Sequence, residues 1–209
     1  MSNIQSTERK IVVADPTPIG LFGLAMVTLV ASSQKLGWTE GTALVIPWAL
    51  FLGAAAQLYA CIQDAKKNNV FGATAFGGYA FFWFAVAMSW LVQGGVFGEK
   101  LAAGADAHQL GVAFVGYLIF TLFMTVGSAT VHLVLFLIFV AIDFLFLGLS
   151  LSNFGIAKEF FHGMAAWSEF VIALLSFYGS AATVLNHQFG RVVLPVGRAP
   201  VAKTLRRAA

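Results

Sequence analysis

The chain has 209 residues, of which 59% are hydrophobic and only 10% charged, with a net charge of +3 and a mean hydropathy of +0.85. Soluble domains carry roughly 25% charged residues, so this composition excludes a chain whose whole surface meets water and requires much of it to face lipid. The single cysteine, Cys61, excludes an internal disulfide and a cysteine-based metal site, and the basic residues form no aromatic-interleaved groove for nucleic acid.

Residues 1–14 are polar and mixed, which reads as a cytoplasmic tail without a cleavable signal peptide. A bilayer-crossing helix needs about 20 mostly apolar residues. Six windows fit: Pro16 to Gln34, Gly41 to Gln63, Gly72 to Gln93, Gln109 to Gly127, Val131 to Ser152 and Gly163 to Asn186. Short polar joins separate them, such as "DAKKNN" at 64–69, "GEKLAAGADAH" at 98–108 and "NFGIAKEF" at 153–160, while "GSAT" at 127–130 predicts a tight hairpin. The expectation is an all-α integral membrane protein with one six-helix domain over 15–190 and a basic tail over 191–209. No join is long enough for a second domain.

Lys and Arg fix the expected orientation, because cytoplasmic loops carry the excess of them. With six spans, one side holds Arg9, Lys10, Lys66, Lys67, Arg191, Arg198, Lys203, Arg206 and Arg207, and the other only Lys35, Lys100 and Lys158. Both termini are therefore expected in the cytoplasm, and an odd number of spans would split the basic ends.

The first span opens on "DPTPIGL", Asp15 to Leu21. The first four N–H groups of a helix have no partner within it, so proline there loses little and its fixed φ suits the start. Asp15 is expected as the N-cap, with Pro16 and Pro18 in the first turn. Gly20 and Gly23 leave a flank free for close approach of a backbone or a ligand. The motif reads either as a rigid start to a packed helix or as a positive helix end facing a pore mouth.

Polar residues inside the spans form the next set. Gln57 carries a donor and an acceptor that lipid cannot satisfy, so it reads as inter-helix glue or as a pore contact. Tyr79, after a Gly-Gly step, combines an apolar ring with one hydroxyl. Its place well inside its span argues against an interfacial tyrosine. Acids within spans default to functional candidates. Asp143 and Glu169 are such acids, with a proton-accepting role set against a structural ion pair or hydrogen bond. His132, at the start of the fifth span, joins them.

Four ordered stretches carry a resemblance: "DPTPIGL", "NNVFGATAFGGYAFFW" at 68–83, "FTLFM" at 120–124 and "LNHQFGRVVLPVG" at 185–197. Together they make the chain similar to the acetate uptake transporter family. That resemblance implies a homohexamer in the lipid bilayer of the cell (plasma or inner) membrane, each protomer enclosing its own pore for acetate and similar small carboxylates. It places an apolar constriction on Leu24, Tyr79 and Phe139, and polar pore-lining residues at Gln57 and Asn186. Leu24 and Phe139 alone would read as ordinary packing. Asp15 departs from the family's usual asparagine, and Asp143 and Glu169 depart from its pattern as well. No cofactor, metal or nucleic-acid partner is implied.

An apolar neck favours a small solute with one greasy and one polar end, and hinders hydrated cations, which need rings of oxygen ligands. The expected function is a channel or transporter for small monocarboxylates, with proton coupling through Asp143 or Glu169. A six-helix urea, amide or ammonium channel remains the alternative. Enzyme classes are not expected: His-Glu-x-x-His is absent, and Ser89, Ser176 and Ser180 have no histidine partner in the sequence pattern. A purely structural membrane protein would have no need of amides and acids at mid-span.

Overall fold

The structure is a computed structural model that describes residues 13–201. Most of the expected N-terminal tail, with Arg9 and Lys10, lies outside the described residues, as do Lys203, Arg206 and Arg207. Among the described residues every regular element is helical. Six helices are long and apolar enough to cross a membrane: Thr17–Lys35, Val45–Lys66, Val70–Gln93, Ala107–Ser128, Leu133–Asn153 and Lys158–Phe189. They are called the first to sixth spans below. Their order and number match the expectation, and the boundaries shift by a few residues.

The largest shift is in the sixth span, which begins at Lys158 and not near Gly163. Lys158, Glu159 and His162 lower the hydropathy of its first turns without preventing helix formation. At 1.5 Å per residue its 32 residues reach about 48 Å, well beyond the roughly 30 Å hydrocarbon core. The amphipathic turns therefore project past it. The join between the third and fourth spans holds a short helix, Glu99–Ala103.

The spans pack in sequence order around a ring, and the sixth closes on the first. Small residues set the closest approaches. Gly23 lies against the Leu52 carbonyl of the second span, and Gly148 against Phe161 and Ala165 of the sixth. The third and fourth spans meet mainly through large rings: Phe82–Tyr117 centroids stand 4.9 Å apart and Tyr79–Phe120 5.6 Å. Phe146 of the fifth span reaches into this group, 5.1 Å from Phe82 and 5.4 Å from Tyr117. The ring is thus filled at mid-height by aromatic side chains.

Within the second span, Ala49–Ala56 runs as a π-helix. Such segments are uncommon and often mark functional sites. Gln57 follows it directly and is fully buried.

The described part of the C-terminal segment is a strap across the bundle. Asn186 holds it: its Oδ1 accepts from the N–H groups of Val193 at 2.6 Å and Leu194 at 2.9 Å, and its Nδ2 donates to the Leu194 carbonyl at 2.8 Å. Val134 N–H then donates to the Val196 carbonyl at 3.1 Å, and Val201 N–H to that of Ala129 at 3.0 Å.

Candidate functional site

Two cavities enter the ring from opposite ends. The larger, 660 Å³, lies on the side of the described termini and is lined by Asp15, Leu24, Gln57, Tyr79, Phe139 and Asn186 among others. The smaller, 380 Å³, opens at the other end and is lined by Lys35, Phe82, Trp83, Phe114, Lys158 and Glu169 among others. No residue lines both. The two linings are three residues apart on the third span, Tyr79 and Phe82, and seven apart on the fifth, Ile142 and Leu149, so the separating layer is about 5–10 Å thick.

Tyr79 forms the floor of the larger cavity. It is 4% exposed, and its ring stacks on Phe146 at 6.4 Å and meets Phe139 at 6.1 Å. Its hydroxyl shares a hydrogen bond of 2.9 Å with the Thr121 hydroxyl of the fourth span. Leu24 and Phe139 face the same cavity from the first and fifth spans. All three residues expected at the constriction therefore line one cavity. Phe146 completes the layer and escapes a reading of single residues. Its signal is periodic, since Phe139, Ile142 and Phe146 recur at helical spacing on one buried face of the fifth span.

Gln57 is fully buried, and its Nε2 donates to the Gly53 carbonyl at 2.8 Å, inside the π-helical segment. A carbonyl only accepts, so the amide nitrogen must face it. That leaves Oε1 without a protein partner in the wall of the larger cavity. A buried, unpaired acceptor is costly.

The N-terminal motif sits at the mouth of that cavity. The first span is capped by Pro16, not by Asp15, and Pro18 falls at N2. Asp15 stands one residue further out: its Oδ1 accepts from the Thr17 N–H at 3.1 Å and the Thr17 hydroxyl at 2.8 Å, and Lys67 lies 3.8 Å away. Gly20 gives the Phe76 ring room to lie against the first span. Asp64, also in the cavity wall, is buried beside Gly72 at the start of the third span.

The polar candidates divide. Asn186 borders the larger cavity, but all its hydrogen bonds go to the strap. Asp143 lies outside both cavities and accepts a 2.8 Å bond from the Thr125 hydroxyl, tying the fifth span to the fourth. Glu169 is 2% exposed, lines the smaller cavity, and accepts from Lys35 Nζ at 2.8 Å. Sequence reading could not pair these two, because 134 residues separate them.

His132 caps the fifth span, its Nδ1 accepting from the Leu135 N–H at 3.1 Å. Burial holds the ring below the usual imidazole range. An unfolded chain binds this proton at higher pH than the folded one, so stability is complete above the ordinary value, about 6.5, and falls as the pH drops towards the folded value. Acidification should therefore lower the melting temperature of the wild type more than that of His132→Asn, which keeps a capping oxygen. The cap contributes about 1 kcal/mol, and equal acid sensitivity in both proteins would contradict this role.

Residues 2–201 match the GPR1/FUN34/yaaH family. The chain belongs to that family. Its similarity to the succinate-acetate/proton symporter SatP of Escherichia coli is 32% identity over 115 residues, covering 55% of this chain and 59% of that protein. Acetate permease A of Emericella nidulans is 34% identical over 120 residues, covering 53% of this chain and 40% of its own length. The aligned stretches thus span about three-fifths of the bacterial relative and two-fifths of the fungal one. The solved structure of the bacterial acetate channel SatP superposes with a TM-score of 0.82 at 32% identity, covering 89% of this chain and all of that one. Family membership and this likeness place the six spans in a transporter and channel fold.

Proposed function

We propose that this chain carries small carboxylates, chiefly the monocarboxylate acetate with the dicarboxylate succinate as a second substrate, through a pore inside each protomer. The observation that carries the reading is the pair of cavities facing each other across an apolar layer, with Leu24, Tyr79 and Phe139 lining the larger. The names of the relatives, a succinate-acetate/proton symporter and an acetate permease, supply the solute class.

The layer is apolar, so a carboxylate ion would lose its hydration there without compensation, whereas the neutral acid loses far less. Gln57 fits the neutral form. Its free atom is a carbonyl oxygen, which an acid O–H can satisfy and a carboxylate cannot. Uptake is therefore proton-coupled in this reading. Glu169 lines a cavity and serves as the coupling acid, while Asp143 ties two spans together.

The protein works in the plasma or inner membrane with both termini cytoplasmic. Among the described residues, Lys66, Lys67, Arg191 and Arg198 lie on the terminal side, against Lys35, Lys100 and Lys158 opposite. The fourth span shows much apolar surface, with Val112 64%, Ile119 61% and Val126 74% exposed. That surface suits lipid and neighbouring copies in a homohexamer.

The free Gln57 oxygen would also accept from urea or ammonium, which keeps such a channel as the second reading. Flux of acetate, succinate, urea and ammonium into vesicles containing the purified chain separates the two. Acetate entry above protein-free vesicles, rising as external pH falls at clamped membrane potential, is the expected result. Urea or ammonium flux without acetate flux would overturn the assignment.

A further inference from the structure

The smaller cavity contains a buried charge pair that the apolar layer does not explain. Lys35 ends the first span, and its Nζ donates to Glu169 Oε2 at 2.8 Å. Their side chains are 13% and 2% exposed. Both line the 380 Å³ cavity, together with Lys158 and His162 of the sixth span. The other spans contribute only uncharged side chains to that wall. Two lysines and a histidine thus share a cavity wall with a single carboxylate, next to a passage proposed to carry carboxylates.

We infer that this cavity is a carboxylate-binding vestibule in which Glu169 occupies Lys35 until a proton on Glu169 frees the ammonium for a small external carboxylate. The inference deepens the proposed carboxylate transport and rests on it. Glu169 is a tethered copy of the solute's own head group. It already satisfies the ammonium, so an acetate ion must compete with a partner at very high local concentration. Protonation of Glu169 removes its charge and leaves Lys35 with an unmatched positive charge in a partly buried place, where a charge-assisted hydrogen bond to a carboxylate is strong.

The exchange balances. One proton joins Glu169, and one carboxylate takes over the Lys35 hydrogen bond. As the solute leaves for the apolar layer, the Glu169 O–H proton passes to its carboxylate, which departs as the neutral acid. Glu169 returns to Lys35. Each cycle moves one proton with one carboxylate, and the acid reaches Phe82 and Phe114 uncharged. Lys158 adds positive potential at the mouth without contacting the pair within bonding distance.

The test is tracer acetate uptake by the full chain in vesicles, corrected for protein-free vesicles, with KM measured across acid to neutral external pH. The wild type should show a KM that falls as pH falls. Glu169→Gln should lose proton-driven uptake, because the donor of the solute's proton is gone, while its apparent Kd for acetate, read by thermal shift, should be low and independent of pH, because Lys35 is always free. Lys35→Gln should raise KM about tenfold at every pH, and Lys35→Arg should restore both the low KM and its pH dependence. A Glu169→Gln protein that keeps proton-driven uptake or a pH-dependent Kd, or a Lys35→Gln protein with the wild-type KM, overturns the vestibule while leaving acetate transport standing. If Lys35→Gln does not fold, Glu169→Gln and Lys35→Arg still decide. Absence of wild-type acetate flux overturns both readings.

Discussion

Tyr79→Ala should convert a selective neck into a permissive one. The side chain is nearly fully buried and packs on Phe120, Phe139 and Phe146, so its removal opens the floor of the larger cavity towards Phe82. The ratio of four-carbon to two-carbon monocarboxylate flux should rise by at least about tenfold, equivalent to about 1.4 kcal/mol of lost discrimination. Stability should fall by about 3–5 kcal/mol, the usual cost of deleting a buried aromatic ring. Tyr79→Phe separates the hydroxyl from the ring. It keeps the neck and loses only the 2.9 Å bond to Thr121, so selectivity should stay near that of the wild type, with a stability cost of about 1 kcal/mol. Competition uptake with acetate and butyrate, alongside thermal melts, measures both effects. A wild-type flux ratio in Tyr79→Ala would remove this ring from the passage.

The second large effect concerns the ring of helices. A Cβ on Gly148 would stand 2.6 Å from the Phe161 carbonyl oxygen and 3.0 Å from the Ala165 nitrogen. Both are backbone atoms of the sixth span and cannot turn aside as a side chain would. Gly23 is constrained in the same way by the Leu52 carbonyl, with the Ala56 Cβ 3.2 Å from the added carbon. Gly148→Val and Gly23→Val should each destabilise by about 3 kcal/mol or more, enough to remove most folded protein. Gly116 has nothing within 4 Å of an added Cβ, so Gly116→Val should remain within about 0.5 kcal/mol of the wild type. Monodisperse yield in detergent and thermal melts compare the three, and a stable Gly148→Val protein would contradict the close packing of the fifth and sixth spans.

Hydropathy made the spans legible because lipid imposes a length and a composition on each of them. The proline start was legible too, although the cap moved from Asp15 to Pro16, since either residue can precede the first turn and only the fold chooses. The cavity-lining residues Leu24, Tyr79 and Phe139 came from resemblance and not from periodicity. Apolar residues on an apolar helix carry no local mark of function. Phe146 carries only the helical recurrence of Phe139, Ile142 and Phe146, which marks a buried face and not a function. The π-helix at Ala49–Ala56 was equally hidden, because an extra residue per turn leaves no composition signal in a run of small and apolar residues. The Lys35–Glu169 pair and the Asn186 strap needed tertiary structure, since each depends on where distant turns meet.

The central claim is that solute crosses the protomer through the aromatic layer below the larger cavity. Ala75 lines that cavity one turn before Tyr79. A single cysteine placed there, Ala75→Cys on a Cys61→Ala background, can be modified with a membrane-impermeant thiol reagent in vesicles that transport acetate. Modification should stop acetate flux, and acetate should slow the modification. Complete labelling of Ala75→Cys with undiminished acetate flux would contradict the account.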